Sequence, residues 1–391
     1  MGEVKKLFSR NIRQYAMIIA LIVIIILFAI LTDGLMLTPL NLTNIVLQNA
    51  HIIILGIGML FVIVAGAFDL SVGSAVALIG SLAGTFMVIW GWDPILSIIL
   101  LLIIGCLLGA WEGMWIAYLR IPAFVVTLGN MLIFKGLMLL VLKSSSIGPF
   151  PGFFSGISLN FLPDPFATED SLKWLTVIIG VIAALIYIQA ALRKRNRRKK
   201  YGFEISSLRI FIAQILIMSV VIIGFSFILA SHRGIPNVLV LLAVLIAIYS
   251  FLGNKTVIGR RVYALGGNER AALLSGIKVK RINFAVFVNM GLMAAVAGIA
   301  YTARCNYATP TAGDGFELDA IAACFIGGAS SSGGIGTIAG AIVGALIMGV
   351  MNNGMSLLSL GIEFQQALKG MVLILAVLFD VMTKSKVASA N

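Results

Sequence analysis

The sequence predicts an all-α polytopic membrane protein, with about ten to eleven transmembrane helices in a single membrane domain spanning residues 1–391. Three observations carry that prediction. Of the 391 residues, 60% are hydrophobic and 11% charged, whereas soluble domains run near 45–50% apolar and about 25% charged. The mean hydropathy is +1.09, which excludes an ordinary soluble enzyme, a disordered chain and a disulfide-stapled secreted domain. Apolar runs of spanning length, about 20 residues each, recur along the whole chain.

The runs fall near 15–31, 44–66, 72–90, 95–118, 122–142, 174–192, 208–230, 236–252, 282–302, 318–350 and 366–382. The first has a basic start but lacks a small-residue cleavage site, so it reads as a span rather than a signal peptide. The 318–350 run is too long for one simple span. Its glycines and serines (Gly327 to Gly334) divide it into two short helices, or into a span and a re-entrant piece. Three cysteines, Cys106, Cys305 and Cys324, have no metal-ligand spacing and imply no disulfide framework.

Loop charge orients the chain. Four cations lie in the tail 1–14, seven in the run 193–200, and seven in the loop 253–281 against the single acid Glu269. Arg120, Lys384 and Lys386 bring the total to 21 of the 28 cations. The intervening loops carry only four cations, Lys143, Lys173, Arg233 and Arg304, with the acids Asp33, Asp93, Asp164, Glu169, Asp170, Asp314 and Glu317. The positive-inside rule then places the N-terminus in the cytoplasm, and the C-terminus too if 318–350 crosses twice. It makes 143–173 a periplasmic loop and 193–207 a basic cytoplasmic loop. The stretch 253–281 is a second cytoplasmic loop, and 1–14 and 383–391 are cytoplasmic tails. The 193–200 run lacks interleaved aromatics and follows a span. It reads as a flank on anionic lipid, worth about 1 kcal/mol per cation, and not as a nucleic-acid patch.

Two places rhyme. Gly66 to Gly73 interrupts one apolar segment, and Gly327 to Gly334 interrupts another, in the second half of the chain. Paired, glycine-interrupted segments point to a transporter's pathway. A break frees backbone N–H and C=O groups, so it must face protein or a water-filled cavity. The alternative is that small residues there only allow close packing.

Polar residues within the spans are the candidate pathway: Gln48, Asn49, Phe68, Asp69, Ser71, Glu112, Asn130, Asn352 and Asn353. Intramembrane charge is costly and faces the bundle interior or a cavity. Asp69 has a second reading, as does Ser71: either can cap the helix that follows. Glu112 has a second reading as a structural hydrogen-bond partner, and His51 reads as a packing histidine. Amides serve a polar solute and glue helices equally well.

Several chemistries have no signal. There is no phosphate-binding G-x-x-x-x-G-K-[ST] loop, no H-E-x-x-H, and with two histidines no metal cluster. No catalytic or metal-binding residue is expected, and no cofactor bound by this chain.

The loop 253–281 holds Gly266-Gly267-Asn268-Glu269-Arg270-Ala271-Ala272-Leu273-Leu274-Ser275-Gly276-Ile277. Asn268 suits an N-cap, Glu269 a first helical turn, and Gly276 a stop. A short exposed helix with small and apolar residues fits the groove of a partner.

The Glu269…Ala271-Ala272…Gly276 pattern resembles the coupling-helix (EAA-type) loop of ABC importer permeases. Four further stretches resemble the ribose/xylose-type sugar permeases. They are Phe68-Asp69-Leu70-Ser71-Val72-Gly73, Arg120 to Gly129, Gly315-Phe316-Glu317-Leu318-Asp319-Ala320-Ile321-Ala322-Ala323, and Gly327 to Gly340. The likeness covers residues 40 to 382. The long 143–200 section departs from the ribose type toward the xylose or multiple-monosaccharide branch, and the fuller EAA tail of maltose-type permeases is absent.

The resemblance implies the ribose-type ABC permease fold in the bacterial inner membrane. It implies a transport subunit for a monosaccharide, a xylose-like pentose or a hexose, and not an enzyme. ATP and magnesium would sit on a separate ATP-binding subunit docked on Gly266, Gly267, Asn268, Glu269, Arg270, Ala271, Ala272, Leu274 and Gly276. A periplasmic or extracellular sugar-binding protein, a second permease copy and membrane lipid are the other implied partners. The competing function is a proton- or sodium-coupled secondary transporter working through Asp69 and Glu112.

Overall fold

A computed structural model describes residues 12–166, 172–203 and 207–388. Residues 1–11 of the N-terminal tail, Glu169 and Asp170 of the outer loop, 204–206 of the basic loop and 389–391 of the C-terminal tail lie outside the described residues.

The chain is helical, and the helices follow the apolar runs. They are α1 Ile12–Leu31, α2 Pro39–Val64, α3 Val72–Ile89, α4 Pro94–Tyr118, α5 Ala123–Leu142, α6 Gly152–Leu159, α7 Trp174–Lys200 and α8 Leu208–Ala230. Then come α9 Asn237–Lys255, α10 Val257–Gly267, α11 Glu269–Leu274, α12 Val279–Cys305, α13 Phe316–Ile326, α14 Ile338–Leu357 and α15 Ile362–Ala388. Among the described residues, nine helices are long and apolar enough to cross a membrane. The first expected span is α1, with its shorter apolar stretch Met17–Leu31, and the last is α15.

Helix starts follow local chemistry. Thr38 caps α2 through Asn41 N with Pro39 behind it. Asp93 Oδ1 accepts from Ile95 N and Leu96 N at the start of α4, again before a proline. Thr337 accepts from Gly340 N to start α14.

Three sequence expectations are sharpened. The 318–350 run becomes α13, of 11 residues, and α14, of 20. At 1.5 Å per residue α13 rises only ~16 Å, about half of a bilayer core. The basic run 193–200 is not a loop: it continues α7 for two turns, since Arg and Lys are good helix formers. The outer loop 143–173 is not plain loop either. Its helix α6 buries Phe154 and donates from Ser158 Oγ to Ala300 O, 2.7 Å away.

α2 is the axis of the bundle. Its spanning stretch is 89% buried, against α12, α13, α14 and α9, whereas that of α8 is 6% buried. α7 and α8 pack chiefly on each other at the periphery, and their exposed Ile, Leu and Val side chains suit lipid.

The tightest helix pair is α4 against α12. Gly105, Gly109 and Gly113 recur every fourth residue, so they share one face of α4. A Cβ on Gly109 would strike Phe287 O, and one on Gly291 would strike Gly105 O. Without a hydrophobic drive between helices in lipid, small residues that let backbones touch provide the cohesion. Gly109→Leu and Gly291→Leu are expected to cost about 1–3 kcal/mol or more by overpacking, seen as lower melting temperature and aggregation in detergent. Gly129→Ala, where nothing lies within 4 Å of the added methyl, is the control and stays neutral.

Candidate functional site

The first break leaves α2 through Gly66, at φ +90, a conformation that glycine adopts without strain. Phe68 O then accepts from Thr127 Oγ1 of α5 at 3.5 Å. Asp69 Oδ1 accepts the Ser71 N–H at 2.9 Å. Ser71 occupies the cap position of α3 but makes no side-chain cap bond. Its hydroxyl instead lies 2.7 Å from Asp69 Oδ1 and 2.5 Å from Glu112 Oε1 of α4. Trp111 Nε1 donates to Asn130 Oδ1 of α5 at 3.2 Å. Four expected pathway residues, Asp69, Ser71, Glu112 and Asn130, therefore meet on one side of the first break, while the Phe68 ring turns to the second. The four polar ones are 1–3% exposed.

A cavity of about 10 Å³ lies among Asp69, Ser71 and Glu112, enclosed by Leu108, Phe134, Met290, Gly291 and Ala294. Met290 to Ala294 are the middle of α12, so the acids sit halfway along a spanning helix.

The remaining expected residues are placed elsewhere. Asn353 Nδ2 donates to Asn41 Oδ1 and Gln48 Oε1, and Asn41 Nδ2 returns a bond to Asn353 Oδ1, tying α14 to α2. Asn49 bonds back to Ile45 O of its own helix and abuts Gly349. His51 is buried between Phe316 (4.3 Å between ring centroids) and Tyr301 (5.0 Å), a packing role. Asn352 Nδ2 donates to Asp319 Oδ2, which also accepts from Lys369 Nζ at 2.9 Å.

That last contact belongs to a set the sequence reading passed over. Lys135 of α5 pairs with Asp314 in the loop before α13, and Lys369 of α15 pairs with Asp319 in α13. Glu317 lies against Gly73, two residues beyond Ser71. The acids all come from Asp314 to Asp319, and the two lysines from spans on either side. Lys135 and Asp314 keep side-chain exposures of 32% and 56%. A lysine inside an apolar span with that exposure faces a polar space. The signal was available: Lys135, Asp319 and Lys369 are charges inside apolar runs. Among the described residues, Asp319 Oδ1 and Asn352 Oδ1 are buried without a hydrogen-bond partner, two acceptors facing the same polar cluster.

The second break meets the first. Gly334 N donates to Val64 O at 2.9 Å, and the rings of Phe68 and Phe325 lie 5.9 Å apart. Gly328, Gly333 and Gly334 have φ between +73 and +79. Onto this junction packs the end of α10. Gly266 is in contact with Val64 O and Gly334 N, and Tyr263 donates its hydroxyl hydrogen to Gly336 O at 2.9 Å. Asn268 then caps α11 through Ala271 N (3.0 Å), and Gly276 ends it at φ +79, both as the sequence predicts. Ala272 is buried beneath α11, whereas Leu273 and Leu274 are 60% and 89% exposed. Gly267, Asn268, Glu269, Arg270 and Ala271 are also exposed. Gly266 differs from them: it is a packing glycine within the fold. α10 itself was not foreseen; the sequence reading took it for loop.

A multi-pass helical bundle with two interrupted segments meeting inside it, and an exposed two-helix loop seated on their junction, defines a membrane permease. The family described as the permease component of branched-chain amino acid transport systems matches residues 41–377, and the chain belongs to that family. It is 38% identical over 385 residues to the xylose transport system permease protein XylH of Escherichia coli, covering 98% of this chain and 96% of that one. The XylH protein of Haemophilus influenzae is 38% identical, with 97% and 99% covered. The ribose import permease protein RbsC of Bacillus subtilis is 34% identical, with 93% and 91% covered. No solved structure matches. The chain is thus a multi-pass transport subunit.

Lys369→Met, which leaves the buried Asp319 carboxylate unpaired, is expected to destabilise by about 3–5 kcal/mol. The double variant Asp319→Ala/Lys369→Met should lose less, in denaturation measured on the purified protein. Asp314→Asn, at an exposed pair, should cost no more than about 1 kcal/mol.

Proposed function

We propose that this chain is the permease of an ATP-driven importer for a monosaccharide, a xylose-like pentose foremost. Two copies would form the pathway, a separate ATP-binding subunit would supply energy, and a soluble sugar-binding protein would deliver substrate from outside. The sugar assignment is supported by the xylose and ribose permeases that the chain resembles along nearly its whole length.

The observation that carries the coupling reading is the seating of α11. Leu273 and Leu274 project from a capped short helix whose base is continuous with Gly266, and Gly266 touches both breaks. A push on Glu269, Arg270, Leu274 or Gly276 would be transmitted through backbone contacts to the interrupted segments, the kind of two-state element through which a ligand biases a conformation. ATP and magnesium belong to that partner, and no catalytic residue is assigned here. The polar groups around Asp69, Glu112 and Asn130, and those around Asn352 and Gln48, are the proposed pathway lining, with Phe68 between the breaks.

Both termini are proposed to be cytoplasmic, on the same side as α10, α11 and the basic end of α7. Residues 1–14 and 383–391 would be the tails, 143–173 the periplasmic section and 253–281 the coupling loop, all within one membrane domain. Anionic lipid would bind the cations at 193–200.

Glu269→Lys and Ala272→Arg are expected to abolish co-purification of the ATP-binding subunit while membrane insertion persists. Affinity purification from cells co-expressing the neighbouring genes checks this. Sugar accumulation on a proton or sodium gradient by liposomes holding this chain alone would overturn the proposal in favour of a secondary transporter.

A further inference from the structure

The proton inventory around Ser71 carries an inference of its own. Its Oγ is within hydrogen-bonding distance of Asp69 Oδ1 (2.7 Å) and Glu112 Oε1 (2.5 Å). A serine hydroxyl has one hydrogen to donate, and an ionised carboxylate can only accept. Ser71 therefore donates to one carboxyl and accepts from the other, and the one it accepts from carries a proton.

The surroundings agree with that count. The side chains enclosing the group are Val72 and Ala75 from α3, Leu108 from α4, Phe134 from α5, and Met290 and Ala294 from α12, with Gly109 and Gly291 completing the wall. None of them is charged. Glu317, lying against Gly73, belongs to the Lys135–Asp314 cluster. From α5, Thr127 is spent on backbone carbonyls. Among the described residues the buried Asn130 Nδ2 has the Glu112 carboxyl beside it, a neutral donor that can fill one of its lone pairs but cannot cancel a charge. Two ionised carboxylates, each no more than 2% exposed and with no counter-ion in that wall among the described residues, are strongly disfavoured, and a bound proton removes one of the charges.

We propose that Asp69 and Glu112 form a proton-binding site, bridged by Ser71, that latches the first break to α4. The break is then pinned at both ends. At Val64 it is held by backbone contacts to Gly334 and Gly266; at Ser71 it is held by the shared proton. A movement that draws Ser71 away from Glu112 opens the 10 Å³ cavity, which has room for about one water. The carboxyl O–H bond breaks, the proton passes to water, and two hydrated carboxylates remain; closing reverses each step. This goes beyond the import reading and needs no proton to travel with the substrate.

Isotope-edited infrared spectroscopy tests the site on the full chain in phosphatidylcholine/phosphatidylglycerol nanodiscs at neutral pH, in sodium and in choline buffers. The expected result is a protonated-carboxyl C=O band, present in both buffers, that moves on ¹³C labelling of aspartate or of glutamate. It should be lost in the Asp69→Asn/Glu112→Gln double variant. Ser71→Ala, which keeps both acids, should shift the same band, and serves if the double variant does not fold. A spectrum with no such band, or a band unmoved by all of these variants, overturns the proposal. So does a band that appears only when sodium is removed, since the site would then hold a monovalent cation. None of these readouts depends on transport, so the import reading stands or falls separately.

Discussion

Inside a bilayer no water is available to satisfy a backbone group that a helix has released. The arrangement of this chain follows from how it meets that constraint at two interrupted segments. Val64 O, left over at the end of α2, takes the Gly334 N–H of the other break. Gly266, at the end of α10, fits against both because no side chain intervenes. Each break thus supplies what the other lacks. Three glycine-bearing stretches from distant parts of the sequence become mutually dependent at one spot, and the exposed helix α11 is attached to that spot through Gly267 and Asn268 alone.

The helices were legible because spanning length is a one-dimensional property. Every apolar run became helical, 318–350 as two helices and 174–192 with an eight-residue extension, and the Asn268 cap and Gly276 stop were readable from local chemistry. What was not legible depended on partners. The glycine run at 327–334 announced a break but not that α13 would be only half a bilayer long. The 253–281 loop looked like one helix because α10 owes its place to Tyr263 and Gly266 docking on residues 64 and 334–336.

The candidate site divides in the same way. Asp69, Ser71 and Glu112 could be suspected singly as intramembrane polar groups, but 41 residues separate Ser71 from Glu112 and nothing in the sequence pairs them. Gln48 and Asn353 stand 305 residues apart and meet through their amides. Asn49 looked equivalent to Gln48 and is not: it is spent on its own helix. Lys135 and Lys369 were hidden by their neighbours, since a single cation barely lowers the apolar average of its run. Their acids, Asp314 and Asp319, lie on one short segment. That segment is therefore held electrostatically from two sides while α2 and α12 are held by packing, a division between softer and stiffer parts of the molecule.

The α7–α8 hairpin touches the remaining helices sparingly, yet α7 ends in two helical turns bearing seven cations. Charge of that density is not carried across a membrane easily. During synthesis, these residues emerge before α9 to α15 exist, so a charge block that resists translocation would constrain the sidedness of everything that follows. A hairpin the packed bundle scarcely requires thus acts as a biosynthetic anchor: deleting it as a unit would spare most folded contacts and yet remove the strongest topological instruction in the middle of the chain.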